Sequence, residues 1–503
     1  MKRLALYALL VSPGIVPLVA PYLPFQDWGL HLGIIGAYVH LRPGSPLAQW
    51  IEPAHSLNAL FGQVAALLAV VLPPLWAANG TLAVALGGLG PATARLCRVA
   101  GVDERAALLC LPLALGRHVY CGFAPNAAAL VPFVLTLAEL VELSKTTETR
   151  IAARHAIAMA GLLVLTGLLH GFVFLATCGL ASLWLLTELF RRRVAACFVG
   201  LVAIVVSAIV VLPTMRVPGV STDMNAALAA LVAAAETEDR SRRAIDLFEW
   251  LFASYRYSRV DDVLQALWLW AVVGLLALGA SRSRRLTMVG AVSLATFVLL
   301  PTNIGPPVNW WGAGLRLPVM AFLAFVPVAG AAFSERRSLA IAIRSLMGLG
   351  VVVAVVAISL ATVDLVRFVH TEMLGFREVL DAIPPKQRLA ALHFTPREVN
   401  EYPGEPHGYV SSYYLLISGG YPSENAFGEG SHAPFRKKVD PATSPWGYGS
   451  GFRFGVHGRF FDGFLVRTSP NRPEAPFEGL VGKKVRLLKA AGNWRYYEKL
   501  EEP

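Results

Sequence analysis

The chain is poor in charge. Of its 503 residues only 15% are Asp, Glu, Lys or Arg, and 55% are hydrophobic. Soluble domains carry roughly 25% charge, so a soluble enzyme is excluded as the main body. Cysteine is scarce too. The five present, Cys97, Cys110, Cys121, Cys178 and Cys197, all lie in the apolar part, and none has metal-ligand spacing. The final polar region has no cysteine and therefore needs no disulfides even if exported. No Lys/Arg run with interleaved aromatics points to nucleic acid. No nucleotide-binding loop makes ATP a driver. Neither an internal repeat nor a matched pair of broken helices supports a transporter. The first loop lacks a DxD-type metal motif, and Asp261-Asp262, beside an apolar stretch, is a poor substitute.

What the chain has is long apolar runs. Residues 4–23, 57–76, 80–98, 105–121, 124–143, 152–169, 171–190, 194–213, 263–280, 286–303, 314–333 and 345–366 are each near crossing length. Lys2-Arg3 ahead of the first run could mark a signal peptide. Pro13, Pro17, Pro21 and the missing small-x-small cleavage site make it a retained crossing instead. The net charge is +11, which in an apolar chain points to loops on the negative side of a membrane. Arg191-Arg192-Arg193, Arg282 to Arg285 and Arg336-Arg337 lie two crossings apart, as short cytoplasmic loops should. Counting forward from Lys2 through all twelve puts Arg95 and Arg98 on the wrong side. One segment is therefore not a simple crossing. Pro73-Pro74 singles out 57–76 as re-entrant, giving eleven crossings; a dip by 28–41 would give thirteen.

The expected fold is a polytopic α-helical membrane protein of about 11–13 transmembrane helices. It spans residues 1–366 and is followed by a small exported α+β domain over 367–503. In that domain 377–384 reads as helical, and 409–417, 463–467, 484–488 and 494–497 read as strands. Ala490-Ala491-Gly492-Asn493 reads as a hairpin turn. The segment 240–257 reads as an amphipathic helix on the membrane or as a packed connector.

Asp27 and His31, four residues apart just past the first crossing, fall on one helix face. A carboxylate there suits proton transfer on a lipid-borne substrate; equally, Asp27 suits the N-cap of a helix starting at Trp28. Arg316 and the pair Arg117-His118 sit near crossing ends. An Arg fork matches phosphate geometry, although Arg316 could also snorkel to headgroups. His118 and His170 could be interior histidines or helix caps. Trp310-Trp311 could stack on a sugar or prenyl chain, or join an interfacial aromatic belt. Glu139 and Glu142 read as surface charges. Tyr413-Tyr414, Trp446 and Tyr448 could bind glycan or form core.

The order of these features resembles the GT-C superfamily, the integral-membrane glycosyltransferases that use lipid-phosphate sugar donors, and most closely bacterial proteins of that architecture. The carriers are Asp27-x-x-x-His31, Ala54-His55-Ser56-Leu57-Asn58 and the Gly122-Phe123-Ala124-Pro125-Asn126 turn. Leu168-Leu169-His170-Gly171-Phe172, the stretch from Leu300-Pro301 to Gly314-Leu315-Arg316-Leu317, Tyr413 to Asn425, and Gly492 to Tyr497 continue the likeness. It covers most of the chain with short motifs. It departs from the pattern at Trp310-Trp311, and in a first loop with one carboxylate where many members have two.

The resemblance implies an inverting transfer of sugar from a polyprenyl phosphate to a lipid, glycan or protein hydroxyl on the outer face of a bacterial inner membrane. Asp27 would be the base, with His31 orienting it. Arg316, Arg117, His118, His170, Trp310 and Trp311 would bind substrate. The implied partners are a polyprenyl-phosphate-linked sugar and membrane lipid. No cofactor is assigned, and a divalent metal stays open. The oligomeric state is not encoded. The alternatives are a non-catalytic scaffold or assembly factor of cell-envelope polysaccharide biogenesis, or a lipid or polymer transporter.

Overall fold

The computed structural model describes residues 3–54, 58–215, 229–234, 243, 247, 251, 259–279, 284–304, 312, 314–335, 340–393, 406–423, 434–438, 451–468, 477 and 479–500. Six helical segments are long and apolar enough to cross a membrane: Ala124–Lys145, Thr149–Leu169, Gly171–Phe190, Val194–Met215, Gly314–Ala332 and Ile341–Thr371. Further helical segments over 3–18, 74–99, 104–120, 259–279 and 284–299 pack among them.

The 57–76 run does not form one long helix. It forms only a ten-residue helix, Ala59–Leu68, which turns through 69–73 and packs on Pro74–Val99. Ten helical residues span about 15 Å, half the hydrocarbon thickness. The 105–121 pass departs from expectation in kind. It consists of two 3₁₀ stretches, Glu104–Cys110 and Pro112–Leu115, and a single α-turn, Arg117–Tyr120. Pro112 and Gly116 interrupt a regular helix. Irregular backbone is tolerated at membrane depth when protein surrounds it. Here nearly every residue from Ala106 to Cys121 is buried, and Trp268 Nε1 donates to the Leu109 carbonyl.

The end opposite Asp27 collects the charged pairs. Arg98 donates to Glu104 and to Tyr7. Arg285 and Arg193 flank Glu188, and Trp184 lies against Arg285. Glu139, expected on the surface, is only 3% exposed and binds both Arg95 and His155. Its place in an apolar run hides this, because its partners come from neighbouring passes.

The last pass continues to Thr371, beyond the expected boundary at 366. A short helix, Phe376–Asp381, then leads into a five-stranded sheet. The strands are β2 (Arg388–His393), β3 (Tyr421–Pro422), β5 (Gly463–Arg467), β6 (Val485–Ala491) and β7 (Trp494–Lys499), in the order β3-β2-β5-β7-β6. β2 runs parallel to β3 and β5; the β5-β7-β6 part is antiparallel. Gly492, at φ +53°, makes the expected hairpin turn. Residues 409–417 are not a strand, because Ser412–Ser418 is helical. Its run Tyr413-Tyr414-Leu415-Leu416 is wholly buried, and a short all-apolar run carries no period that separates helix from strand. β2 was not anticipated. Nor was a two-stranded ribbon in which β1 (Ile51–Pro53) of the first loop pairs with β4 (Phe435–Lys437) of the tail.

Candidate active site at the Asp27 loop

The site forms where the first loop meets the turn after the 3₁₀ pass. Gln26 N–H donates to the Tyr120 carbonyl at 2.9 Å, and Asp27 N–H to the Cys121 carbonyl at 3.3 Å. Gly122 follows at φ +82°, where L side chains are strained. A Cβ there would stand 2.4 Å from the Asp27 nitrogen. His31, one turn along the helix Trp28–His40, closes the same contact, with Nε2 2.8 Å from the Gly122 carbonyl. Burial lowers the His31 pKa to about 4, so the ring is neutral at physiological pH and Nε2–H is the donor. The spacing Asp27-x-x-x-His31 thus puts both residues on one two-residue stretch of backbone.

Asp27 occupies the N-cap position of that helix, but its carboxylate makes no capping hydrogen bond. The capping alternative therefore does not account for it. Its side chain is half-buried, and burial pushes its pKa up to about 7, against the lowering influence of Arg316. Arg316 ends the 3₁₀ turn Gly314–Arg316. Its guanidinium lies 4.3 Å from the centre of the Phe123 ring and 5.9 Å from Phe172. Such a stack fixes the plane of the guanidinium. Gly312, at φ +65°, lies against both Arg316 and Phe123.

Arg117 and His118 reach the same place from below. Arg117 and Arg316 both act electrostatically on Cys121, and Arg316 acts on His118. His118 is 1% exposed, and neither ring nitrogen has a hydrogen-bond partner. Trp28 Nε1 and Asn126 Nδ2, flanking the turn on either side, are likewise buried without a partner. Buried polar atoms are nearly always satisfied, so three such side chains near one turn mark a place where a polar ligand would supply the missing bonds. Asn126 and Trp28 stood in the sequence motifs but were not read as site residues.

The remaining candidates separate. His170 Nδ1 accepts from Val173 N–H at 3.4 Å, capping the helix that carries Phe172. The next amide, Gly171 N–H, donates to Asn58 Oδ1 at 3.0 Å. Trp310 and Trp311 lie outside the described residues, as do His55, Trp446 and Tyr448. Tyr413 and Tyr414 are buried core. Among the described residues no group of three or more His, Cys, Asp or Glu has metal-binding geometry. Sequence spacing also missed a cluster at the exit of the last pass. Glu372 there binds Arg467, and His407 stacks between Phe368 and His393.

These features belong to a helical membrane protein with six candidate membrane spans and a small sheet-containing C-terminal region. Two solved structures share this fold over nearly their whole length. ArnT from Cupriavidus metallidurans bound to undecaprenyl phosphate aligns with TM-score 0.59 and 11% identity, over 98% of this chain and 96% of that one. The same protein in the apo state aligns with TM-score 0.56 and 13% identity, over 98% and 97%. No protein-family model and no curated protein matches the sequence.

Proposed function

We propose that this chain is a GT-C glycosyltransferase that moves a sugar from a polyprenyl-phosphate donor to a lipid, glycan or protein hydroxyl. The reaction takes place on the outer face of a bacterial inner membrane. The spacing of the basic loops in the sequence supports an orientation in which the tail is extracytoplasmic. The observation that carries the reading is Asp27, an uncapped, half-buried carboxylate with a pKa of about 7 that faces the charge of Arg316. A base poised near the working pH is the most effective kind. The solved ArnT complex, which holds undecaprenyl phosphate, supports a lipid phosphate as the ligand for the cationic side of this site.

In the reaction Asp27 takes the proton of the acceptor hydroxyl as its oxygen bonds to the anomeric carbon. The bond from that carbon to the phosphate oxygen breaks, and the polyprenyl phosphate leaves with the electron pair. Arg316, with Arg117 beside it, stabilises the charge that develops on the departing phosphate. Attack opposite the leaving group inverts the anomeric centre. His31 works through Gly122: it fixes the turn against which Asp27 rests. His118, Trp28 and Asn126 provide hydrogen bonds to the sugar or the phosphate.

The test is genetic. In a strain where loss of the gene alters an envelope glycan, complementation with Asp27→Asn should leave the glycan altered. Full restoration by Asp27→Asn would contradict transfer chemistry and favour a scaffold whose working part is the tail.

A further inference from the structure

The loop carrying Asp27 is held on two sides. The bundle grips it through residues 120–122. The tail grips it everywhere else. Tyr22, ahead of Asp27, packs edge-on against Phe376 at 5.2 Å and Tyr413 at 5.4 Å, and the Tyr413 hydroxyl is hydrogen-bonded to the Leu23 backbone. Gly29, two residues after Asp27, lies so close to Tyr409 that a Cβ would stand 2.4 Å from the Tyr409 carbonyl oxygen. Gly36, two turns on, meets the Leu416 backbone in the same way, at 2.9 Å. His40 Nε2 then bonds the Leu416 carbonyl at 3.0 Å. Beyond the helix, the β1–β4 ribbon, the Glu52–Arg436 pair and Lys438 Nζ on the Ala48 carbonyl continue the attachment.

Gly29 and Gly36 share a face of the helix Trp28–His40, being seven residues apart. Two glycines on one face are unfavourable for an isolated helix relative to Ala. Their placement is explained by the backbone of 409–416 lying directly on that face. One tail segment therefore grips the chain immediately before and immediately after Asp27.

We propose that the C-terminal domain is a positioning element of the Asp27 site, with Tyr413 and the Gly29–Tyr409 contact setting where the carboxylate stands. The inference rests on the transferase reading. The tail does not touch the reacting atoms. It fixes the entry to the helix, so that Asp27 stays shielded and aimed at the charge of Arg316. The groups acting on Asp27 from the bundle side are Arg316 and Cys121, with Arg117 acting on Cys121, while neutral His31 holds Gly122.

Two variants of the full-length protein test this. Gly29→Ala favours the helix itself but forces the tail away. Tyr413→Phe keeps the ring and removes one hydrogen bond. With a polyprenyl-phosphate sugar as substrate, kcat should fall roughly 10- to 100-fold for Gly29→Ala, the scale of an ångström-sized misplacement. It should fall roughly 5-fold for Tyr413→Phe, the scale of one hydrogen bond. KM for the donor should be unchanged. The acidic limb of the pH profile should move below 7 as water reaches Asp27. Hydrogen exchange should rise over 28–40 and stay the same over 485–499. Faster exchange with unchanged kcat and pH profile would overturn the inference, and so would unchanged exchange. If the unmodified protein transfers no sugar, the transferase reading fails by itself. The positioning claim is then read from the carboxyl NMR titration of Asp27 alone: a lowered midpoint in Gly29→Ala sustains it and an unmoved one overturns it.

Discussion

Gly122 and Asp27 are in backbone contact: the Asp27 amide reaches the carbonyl just before Gly122, and a single added methyl on Gly122 would collide with Asp27 nitrogen and Cα at 2.4 and 2.7 Å. Both the contact and the φ of +82° require glycine. Gly122→Ala should cost about 1–3 kcal/mol of stability from the backbone alone. It should also lower transfer roughly 100-fold by displacing the carboxylate. Thermal unfolding and turnover in the same detergent preparation measure the two losses.

Asp27→Asn should lower turnover at least 100-fold, the usual scale for loss of a positioned base. It should also stabilise the fold. The folded pKa of Asp27 is raised to about 7 from the model-peptide value of 3.8, so ionised Asp27 opposes folding. The penalty is full above pH 7, shrinks as pH falls toward 4, and vanishes once both states are protonated. The Asn variant should therefore unfold at a higher temperature than the parent at pH 8, with the gap closing by pH 4.

Turnover should rise with pH through a limb near 7, set by ionisation of Asp27, with no contribution from His31, whose pKa of about 4 lies outside the range. Arg316 lowers the Asp27 pKa, so Arg316→Gln should move the limb to higher pH as well as weakening donor binding. Arg316→Lys keeps the charge but loses the planar stack on Phe123 and the fork geometry. It should leave the limb near 7 and raise KM. A pH–rate series on the three proteins separates these effects.

At the other end of the bundle, Glu188 is fully buried between Arg285 and Arg193. Removing its charge takes away the partner of two arginines that are themselves partly exposed, Arg193 by 39%, so the loss falls short of that for a wholly buried pair, at about 1–3 kcal/mol. Glu188→Gln should therefore destabilise measurably, whereas Glu142→Gln, whose partner Lys145 is exposed, should change stability by less than about 1 kcal/mol.

What the sequence disclosed follows from what each signal depends on. Crossing segments are legible because each one carries its own hydropathy, and Pro73-Pro74 marks where the 57–76 run breaks between two helices. The 3₁₀ character of 104–115 was hidden, because an apolar run with Pro112 reads as a helix until its neighbours are known. Asp27, His31, Arg117, His118 and Arg316 were each visible as polar residues at crossing ends. Their convergence was not, because the carbonyl that binds His31 lies 91 residues away and Arg316 arrives from a helix start far along the chain. The tail's hold on the loop was illegible for the same reason: Gly29 and Gly36 read as poor helix residues until the backbone of 409–416 is placed against them.

The central claim is that Asp27 performs the proton transfer of a sugar transfer from a lipid phosphate. It is tested most directly by incubating the purified protein in lipid nanodiscs with polyprenyl-phosphate sugars and a hydroxyl-bearing acceptor extract, and measuring released polyprenyl phosphate by mass spectrometry. The account predicts release by the unmodified protein and loss of release in Asp27→Asn with donor binding retained. Equal release by both proteins would contradict it.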